Sequence, residues 1–130
     1  MKIKSFIYYW LPVIIYAGLI FYFSSLSQPL PSGIPSFNYM DLLLHASEYF
    51  VLSALLLRAF LYSAAKRPYM VSIIVSALYG ISDEIHQLFV PGRVFAASDM
   101  LANAFGASLV LLYFLIRKHT KSYKTKAATE

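Results

Sequence analysis

The chain alternates long apolar runs with short polar segments. Four of these runs, at about residues 6–24, 42–64, 69–89 and 98–116, are long enough to cross a bilayer, because a hydrocarbon core of about 30 Å takes roughly 20 helical residues. Three prolines and a glycine after the first run predict a non-helical loop there. The pattern therefore predicts an all-α integral membrane protein. It forms a single domain over residues 1–130, a four-helix transmembrane bundle with a basic tail at 117–130.

The positions of lysine and arginine predict how the four runs are oriented. With a cytoplasmic N-terminus, all 11 Lys and Arg residues except Arg93 fall on the cytoplasmic side. Cytoplasmic loops of membrane proteins carry such an excess of basic residues. We therefore predict a multi-pass protein of the plasma membrane with both termini inside (N-in/C-in), and the lipid bilayer as its main partner.

Composition excludes several other classes of protein. Hydrophobic residues make up 59% of the chain and charged residues only 13%, a balance that leaves no room for a soluble domain. The net charge of +5 comes from basic residues that flank the apolar runs, so we expect no nucleic-acid partner. Cysteine is absent, which excludes a disulfide framework.

Polar residues form one stripe along each of the last three predicted helices. In the second run, Asp41, His45 and Glu48 are spaced i, i+4, i+7 and so share one helical face. The stripes of the third and fourth runs are Ser76, Tyr79, Gly80, Asp83 and Gln87, flanked by Glu84, and then Asp99, Asn103 and Gly106. Ala102 and Gly106 also form a small-xxx-small pair, which allows two helices to approach closely.

The predicted topology brings the three stripes to the same depth, at the outer end of the bundle. A charged side chain inside a bilayer costs several kcal/mol, about 2.5–3.5 on insertion scales, so such residues face the bundle interior or a water-filled cavity. The stripes therefore predict one polar pocket that opens to the outside. Arg93, the one basic residue on that side, is expected to lie over it.

The side chains of this predicted pocket suit three kinds of chemistry. Carboxylates and imidazoles bind hard or borderline cations, crowded carboxyls supply a general acid and base, and acids with an arginine also form purely structural networks. His45 and Glu48 match, in reverse order, the Glu-x-x-His metal pattern of helix bundles. The sequence identifies no cofactor, and we favour protonated or mutually hydrogen-bonded carboxyls over a bound divalent metal.

The same residues resemble a known family. The segment from Tyr79 to Arg93 fits Y-x-x-x-D-E-x-x-Q-x-F-x-P-x-R, and the segment from Asp99 to Gly106 fits D-x-x-x-N-x-x-G. Upstream, the stretch that starts at His45 fits H-x-x-x-Y-F. Together these motifs resemble the VanZ-like family over nearly the whole chain. That family takes its name from an accessory protein that lowers susceptibility to the glycopeptide antibiotic teicoplanin. The resemblance thus implies a cell-envelope protein linked to antibiotic resistance.

Two sets of candidate site residues follow from the stripes and the resemblance. The expected catalytic residues are His45, Asp83, Glu84 and Asp99. The expected substrate-binding residues are Asp41, Glu48, Tyr49, Tyr79, Gln87, Arg93 and Asn103.

Three functions compete. The first is a membrane-embedded enzyme for a lipid, lipid-linked or envelope-associated substrate. In it, Asp83 or Glu84 is the general base, His45 is a partner or metal ligand, and Arg93 clamps a phosphate or carboxylate. The second is a module that binds a headgroup or glycopeptide without turnover. A small transporter is least favoured, because residues 51–57 and 109–116 are almost wholly apolar and give no polar path through the inner half.

Overall fold

A computed structural model gives the structure of residues 3–27 and 39–127, with side chains described up to residue 117. The described residues form four helices and no strand: α1 (Ile3–Ser24), α2 (Met40–Tyr62), α3 (Pro68–Gln87) and α4 (Ala97–Ala127). Most of the predicted proline-containing loop, at 28–38, lies outside the described residues, as do residues 128–130 of the predicted tail. The predicted all-α fold class is confirmed.

The helices begin and end at somewhat different residues from the predicted apolar runs, above all at the end of α4. α3 begins at Pro68, whose fixed φ and missing N–H suit the first helical turn. The largest difference is at the other end of the chain, where α4 continues to Ala127 through much of the segment expected to be a tail. The predicted end of the run came from hydropathy, which shows only where the apolar sequence stops. The helix continues because the Lys, Arg and Ala residues that follow also favour helix.

Three of the helices are long and apolar enough to cross a membrane. They are α1, α2 and the Ala97–Arg117 part of α4, with mean hydropathies of 1.8, 1.4 and 1.7. Among the described helices, α3 does not reach this level, because serines, Asp83 and Glu84 interrupt its apolar sequence. A membrane crossing by α3 therefore stays a prediction, and so does the N-in/C-in topology that depends on it.

α2 is the central helix of the bundle, because its contacts with the other three helices are the most extensive. Its closest approach is to α4, where Gly106 lies directly on the α2 backbone. A Cβ atom at Gly106 would overlap the carbonyl group of Ala46, so only glycine permits this spacing. The close packing predicted from the small-xxx-small pair is present here.

The buried core lies between α1 and α2, whereas the outer surface of the bundle is apolar. The core cluster consists of Val13, Ile20, Tyr49, Leu52, Leu56 and Ala59. Large apolar side chains such as Ile14 (64% exposed) and Leu101 (72% exposed) point outward. An apolar exterior around polar interior positions is the arrangement expected of a bundle in lipid.

Candidate functional site

A cavity of about 620 Å³ lies at the end of the bundle where α2 begins and α3 ends. Seven of the predicted site residues line it: Asp41, His45, Glu48, Asp83, Gln87, Arg93 and Asp99. The stripes on α2 and α3 and the first turn of α4 thus meet at one end of the bundle. The volume lies within the range of about 300–1,000 Å³ that is typical of small-molecule sites.

α1 completes the cavity wall, which the sequence reasoning did not foresee. Ile20, Phe23 and Ser24 line the cavity, and the hydroxyl of Ser24 is buried without a hydrogen-bond partner. The signal in the sequence was a serine pair at the end of an otherwise apolar run. The cavity therefore has one largely apolar side and one strongly polar side. This arrangement is suited to an amphipathic ligand.

His45 is held between two residues of α4. Its Nδ1 atom lies 3.0 Å from Oδ1 of Asn103, in a buried contact, and its Nε2 atom lies 3.6 Å from Oδ2 of Asp99. Because an amide oxygen only accepts hydrogen bonds, this contact assigns the proton to Nδ1. The Nε2 atom is then left facing Asp99 at the cavity wall.

Asp83 and Glu84 are both buried, at 5% and 0% exposure. Oδ2 of Asp83 accepts a hydrogen bond of 3.3 Å from the side-chain amide of Gln87, and Oε2 of Glu84 accepts a long one of 3.4 Å from the backbone N–H of Ala96. The second oxygen of each carboxyl group has no partner. Buried carboxyl oxygens without partners are costly, which suggests that they serve a purpose other than stability.

Glu84 faces α4, where it joins His45 and Asp99. One donor atom from each of these residues lies within 4.8 Å of the other two, an arrangement able to hold a metal ion. Glu84 itself does not line the cavity, and neither does Asn103. The sequence analysis favoured protonated or mutually hydrogen-bonded carboxyls. Among the described residues no hydrogen bond joins two carboxyl groups of the site, and their protonation stays a prediction.

Arg93 follows the turn at Pro91 and Gly92, where Gly92 has a φ of +82°, a conformation that favours glycine. Its Nε and Nη2 atoms donate to Oε1 of Gln87, at 3.3 and 2.8 Å. Within the described part of the chain, no carboxylate lies within ion-pair distance of this guanidinium. Gln87 thus connects Arg93 to Asp83 through its two amide atoms.

The two tyrosines predicted to bind substrate lie behind the cavity wall. Tyr49 is fully buried in the core, and its hydroxyl has no hydrogen-bond partner. The hydroxyl of Tyr79 donates to the backbone carbonyl of Ala17, at 2.7 Å, and so ties α3 to α1. Neither residue lines the cavity.

These features define a helical membrane protein with a buried acidic site between its helices. The chain belongs to the VanZ/LLP1 family, whose sequence model matches residues 9–118. The resemblance found in the motifs is therefore confirmed. No curated protein and no solved structure matches the chain.

Proposed function

We propose that the cavity is the active site of a membrane-embedded enzyme. Its substrate is a lipid or lipid-linked molecule of the cell envelope with an anionic headgroup. The observation that carries this proposal is the composition of the wall: a guanidinium that forms no ion pair with a described carboxylate shares one cavity with four carboxyl groups, of which that of Asp83 is buried, and with a histidine.

Arg93 is suited to bind the anionic group. Its contact with Gln87 fixes the orientation of the guanidinium without neutralising the positive charge, because an amide oxygen is uncharged. Arginine presents its N–H groups in a planar fork that matches phosphate and carboxylate oxygens. The apolar residues of α1 on the same cavity supply a surface for the lipid part of the substrate.

Asp83 is suited to act as the general base. It lines the cavity, and its Oδ1 atom is buried without a hydrogen-bond partner. A small rotation of the carboxyl group toward the cavity would let this atom take a proton from water or from a substrate hydroxyl. Gln87 bonds both to the other oxygen of Asp83 and to the guanidinium of Arg93. These bonds fix the position of the base relative to the anion-binding group. The chemistry that this supports is hydrolysis or group transfer at the headgroup.

The same proposal includes the orientation of the protein in the plasma membrane, with the cavity facing outside. It rests on the 11 Lys and Arg residues, of which only Arg93 lies at the cavity end of the predicted bundle. An outward cavity would face the lipids of the cell envelope. A role in teicoplanin susceptibility would then arise through the envelope lipid.

A non-catalytic module for a headgroup or antibiotic is the second candidate. The size of the cavity favours it as much as it favours an enzyme, but such a module has no need for buried carboxyl oxygens without partners. A transporter is the least favoured reading. The buried polar residues further along the bundle are the serines Ser53, Ser72 and Ser76, none of which is ionisable.

The comparison of Asp83→Asn with the wild-type protein separates the enzyme from the module. The substitution keeps the size of the side chain but removes the proton acceptor, so we expect normal membrane insertion and loss of turnover. Envelope lipids of cells expressing each protein, compared by mass spectrometry, should show a lipid that only the wild type converts. Equal conversion by the variant would exclude Asp83 as base. Equal lipid profiles with the wild type and with an empty vector would favour the module.

A further inference from the structure

We propose that His45, Glu84 and Asp99 bind one divalent transition-metal ion, such as Zn²⁺ or Mn²⁺. The three residues come from three different helices, α2, α3 and α4, and their donor atoms lie within 4.8 Å of one another. The site adjoins the cavity described above. A catalytic role for this metal rests on the proposed function, whereas metal binding itself can be tested without an activity assay.

The distances suit a common metal ligand sphere. Two ligands of one Zn²⁺ ion, each at about 2.0–2.2 Å from it, lie roughly 3–3.5 Å apart. Nε2 of His45 and Oδ2 of Asp99 lie 3.6 Å apart, so these two atoms need almost no movement. All three donor atoms lie within 4.8 Å of one another, and a small rotation of a carboxyl group would bring them to the distances of a common metal ion.

Glu84 gives the strongest independent support. Its side chain is fully buried, and Oε1 has no hydrogen-bond partner, yet one of its oxygens faces His45 and Asp99. The bond from Ala96 to Oε2, at 3.4 Å, is too long to offset the burial of a carboxylate. A cation is the partner that such a group lacks.

His45 makes, through its other ring nitrogen, the kind of contact that is usual for a metal-bound histidine. Such a histidine donates its other ring N–H to a carbonyl or carboxylate, which fixes the tautomer and aims the free nitrogen at the metal. Asn103 accepts from Nδ1 at 3.0 Å, which leaves Nε2, the atom that faces Asp99, as the nitrogen to bind the metal. Asn103 is thus a positioning residue for the metal site.

The local charge also favours a divalent cation. Asp83, Glu84 and Asp99 approach one another at one end of the bundle, and the guanidinium of Arg93 forms no ion pair with a described carboxylate. Uncompensated charge is expensive in a low-dielectric interior. The imidazole ligand selects a transition metal, because Mg²⁺ and Ca²⁺ prefer oxygen donors only.

The metal would lie in the wall of the cavity, since His45 and Asp99 both line it. Three protein ligands are typical of catalytic metal sites, which leave a position for water or substrate. A metal held there would supply Lewis-acid polarisation of water or of a substrate oxygen at the cavity that Arg93 also lines. The metal site therefore deepens the proposed function.

The test uses the full chain purified in detergent, stripped with a chelator and titrated with Zn²⁺ or Mn²⁺ alone. We expect stoichiometric binding and a higher melting temperature. X-ray absorption of the Zn²⁺ form should show nitrogen and oxygen ligands with one imidazole. Asp99→Asn and His45→Ala should abolish binding, and Asn103→Leu should weaken it by roughly 10- to 100-fold.

Two control variants are available. His86→Ala removes a histidine near the same end of the bundle that bonds to Ser25 instead, at 2.9 Å. Glu48→Gln removes an acid that lines the cavity but is not in the metal group. Both should keep the metal. Equal loss in His86→Ala and His45→Ala, or no binding to the wild type, would overturn the site.

The outcomes separate this proposal from the proposed function. If the wild type binds no metal but still converts an envelope lipid in a manner that depends on Asp83, the metal site is wrong and the enzyme stands. If metal binds as described but lipid composition is unaffected by the protein, the enzyme is wrong and the metal site stands. The X-ray absorption measurement needs no variant, so a variant that fails to fold does not weaken the test.

Discussion

Asp83 and Glu84 are neighbours in sequence and have different surroundings. Successive residues of a helix point about 100° apart, so Asp83 reaches the cavity while Glu84 turns towards α4. Each keeps one oxygen without a hydrogen-bond partner. In the proposed function this pair of adjacent acids serves two parts of one site, with Asp83 as the base at the cavity and Glu84 as the group behind it.

Gly106 is predicted to be essential for the close packing of α4 on α2. A methyl group there would overlap the backbone of Ala46, and backbone atoms cannot rotate away. Gly106→Ala should therefore destabilise the protein by about 1–3 kcal/mol, as overpacking does, and displace α4 from α2. The measurement is unfolding in detergent.

Gly18→Ala is the matched control for that measurement, because no atom lies within 4 Å of a Cβ built at Gly18. We expect no loss of stability from it, and a small gain from the higher helix propensity of alanine. Equal melting temperatures for the two variants would show that the approach of α2 and α4 is looser than described.

Helical periodicity predicted which residues share a face, and this was enough to bring His45, Asp83 and Asp99 to one end of the bundle. It did not predict that Gln87 would hold Arg93 or that Tyr79 would bind the backbone of α1. Such contacts depend on how each helix is rotated against its neighbours. A pattern along one helix carries no information about that rotation.

At the scale of elements, α1 is attached less tightly than the other helices, since it packs on α2, to a small extent on α3, and not on α4. Only 11% of its apolar window is buried. It still supplies the apolar side of the cavity. The shape of the cavity therefore depends on how α1 is held against α2 and, through a few contacts, against α3.

Tyr79→Phe tests this dependence. The substitution removes the hydrogen bond from the Tyr79 hydroxyl to Ala17, which is 2.7 Å long, and should cost about 0.5–1.5 kcal/mol. We also expect α1 to move, which cross-linking between cysteines placed in α1 and α3 would detect. Tyr113→Phe is the control, because its hydroxyl has only an exposed contact of 3.4 Å with Arg117. If both variants behave alike, the Tyr79 bond does not hold α1.

At the scale of the whole molecule, the number of helices that cross the membrane decides which side the cavity faces. α1, α2 and part of α4 have the required length and hydropathy, whereas α3 carries the buried acids. If α3 crosses as well, its polar stripe is shielded by the helices around it. The sequence predicts this from the distribution of basic residues, since hydropathy alone is too low for α3.

Cysteine labelling in intact cells tests the crossing directly, because the natural chain has no cysteine. Phe89, which is 79% exposed after α3, and Lys66, which precedes α3 and is also exposed, are suitable positions. With four crossings, an impermeant thiol reagent added outside should label Phe89→Cys and leave Lys66→Cys unlabelled. If neither position is labelled, α3 does not cross; labelling of both positions or of Lys66→Cys alone would also contradict the topology.

The central claim is that the cavity binds the anionic headgroup of a lipid through Arg93. The most direct measurement is the affinity of the purified protein for a short-chain polyprenyl phosphate, determined for the wild type, Arg93→Gln and Arg58→Gln. Arg58 is the matched control, because its guanidinium lies over the ring of Tyr8, 4.5 Å from the ring centre. It is near the end of α2, whereas the cavity-lining residues of α2 are near its beginning.

Arg93→Gln should lower the affinity roughly 10- to 100-fold, because a charge-assisted hydrogen bond contributes about 1.5–3 kcal/mol. Arg58→Gln should lower it far less, by no more than the general attraction of a basic residue for an anionic lipid. A neutral polyprenol should bind all three proteins alike. If Arg93→Gln binds the phosphate as tightly as the wild type does, or no more weakly than Arg58→Gln, the cavity is not the anion site.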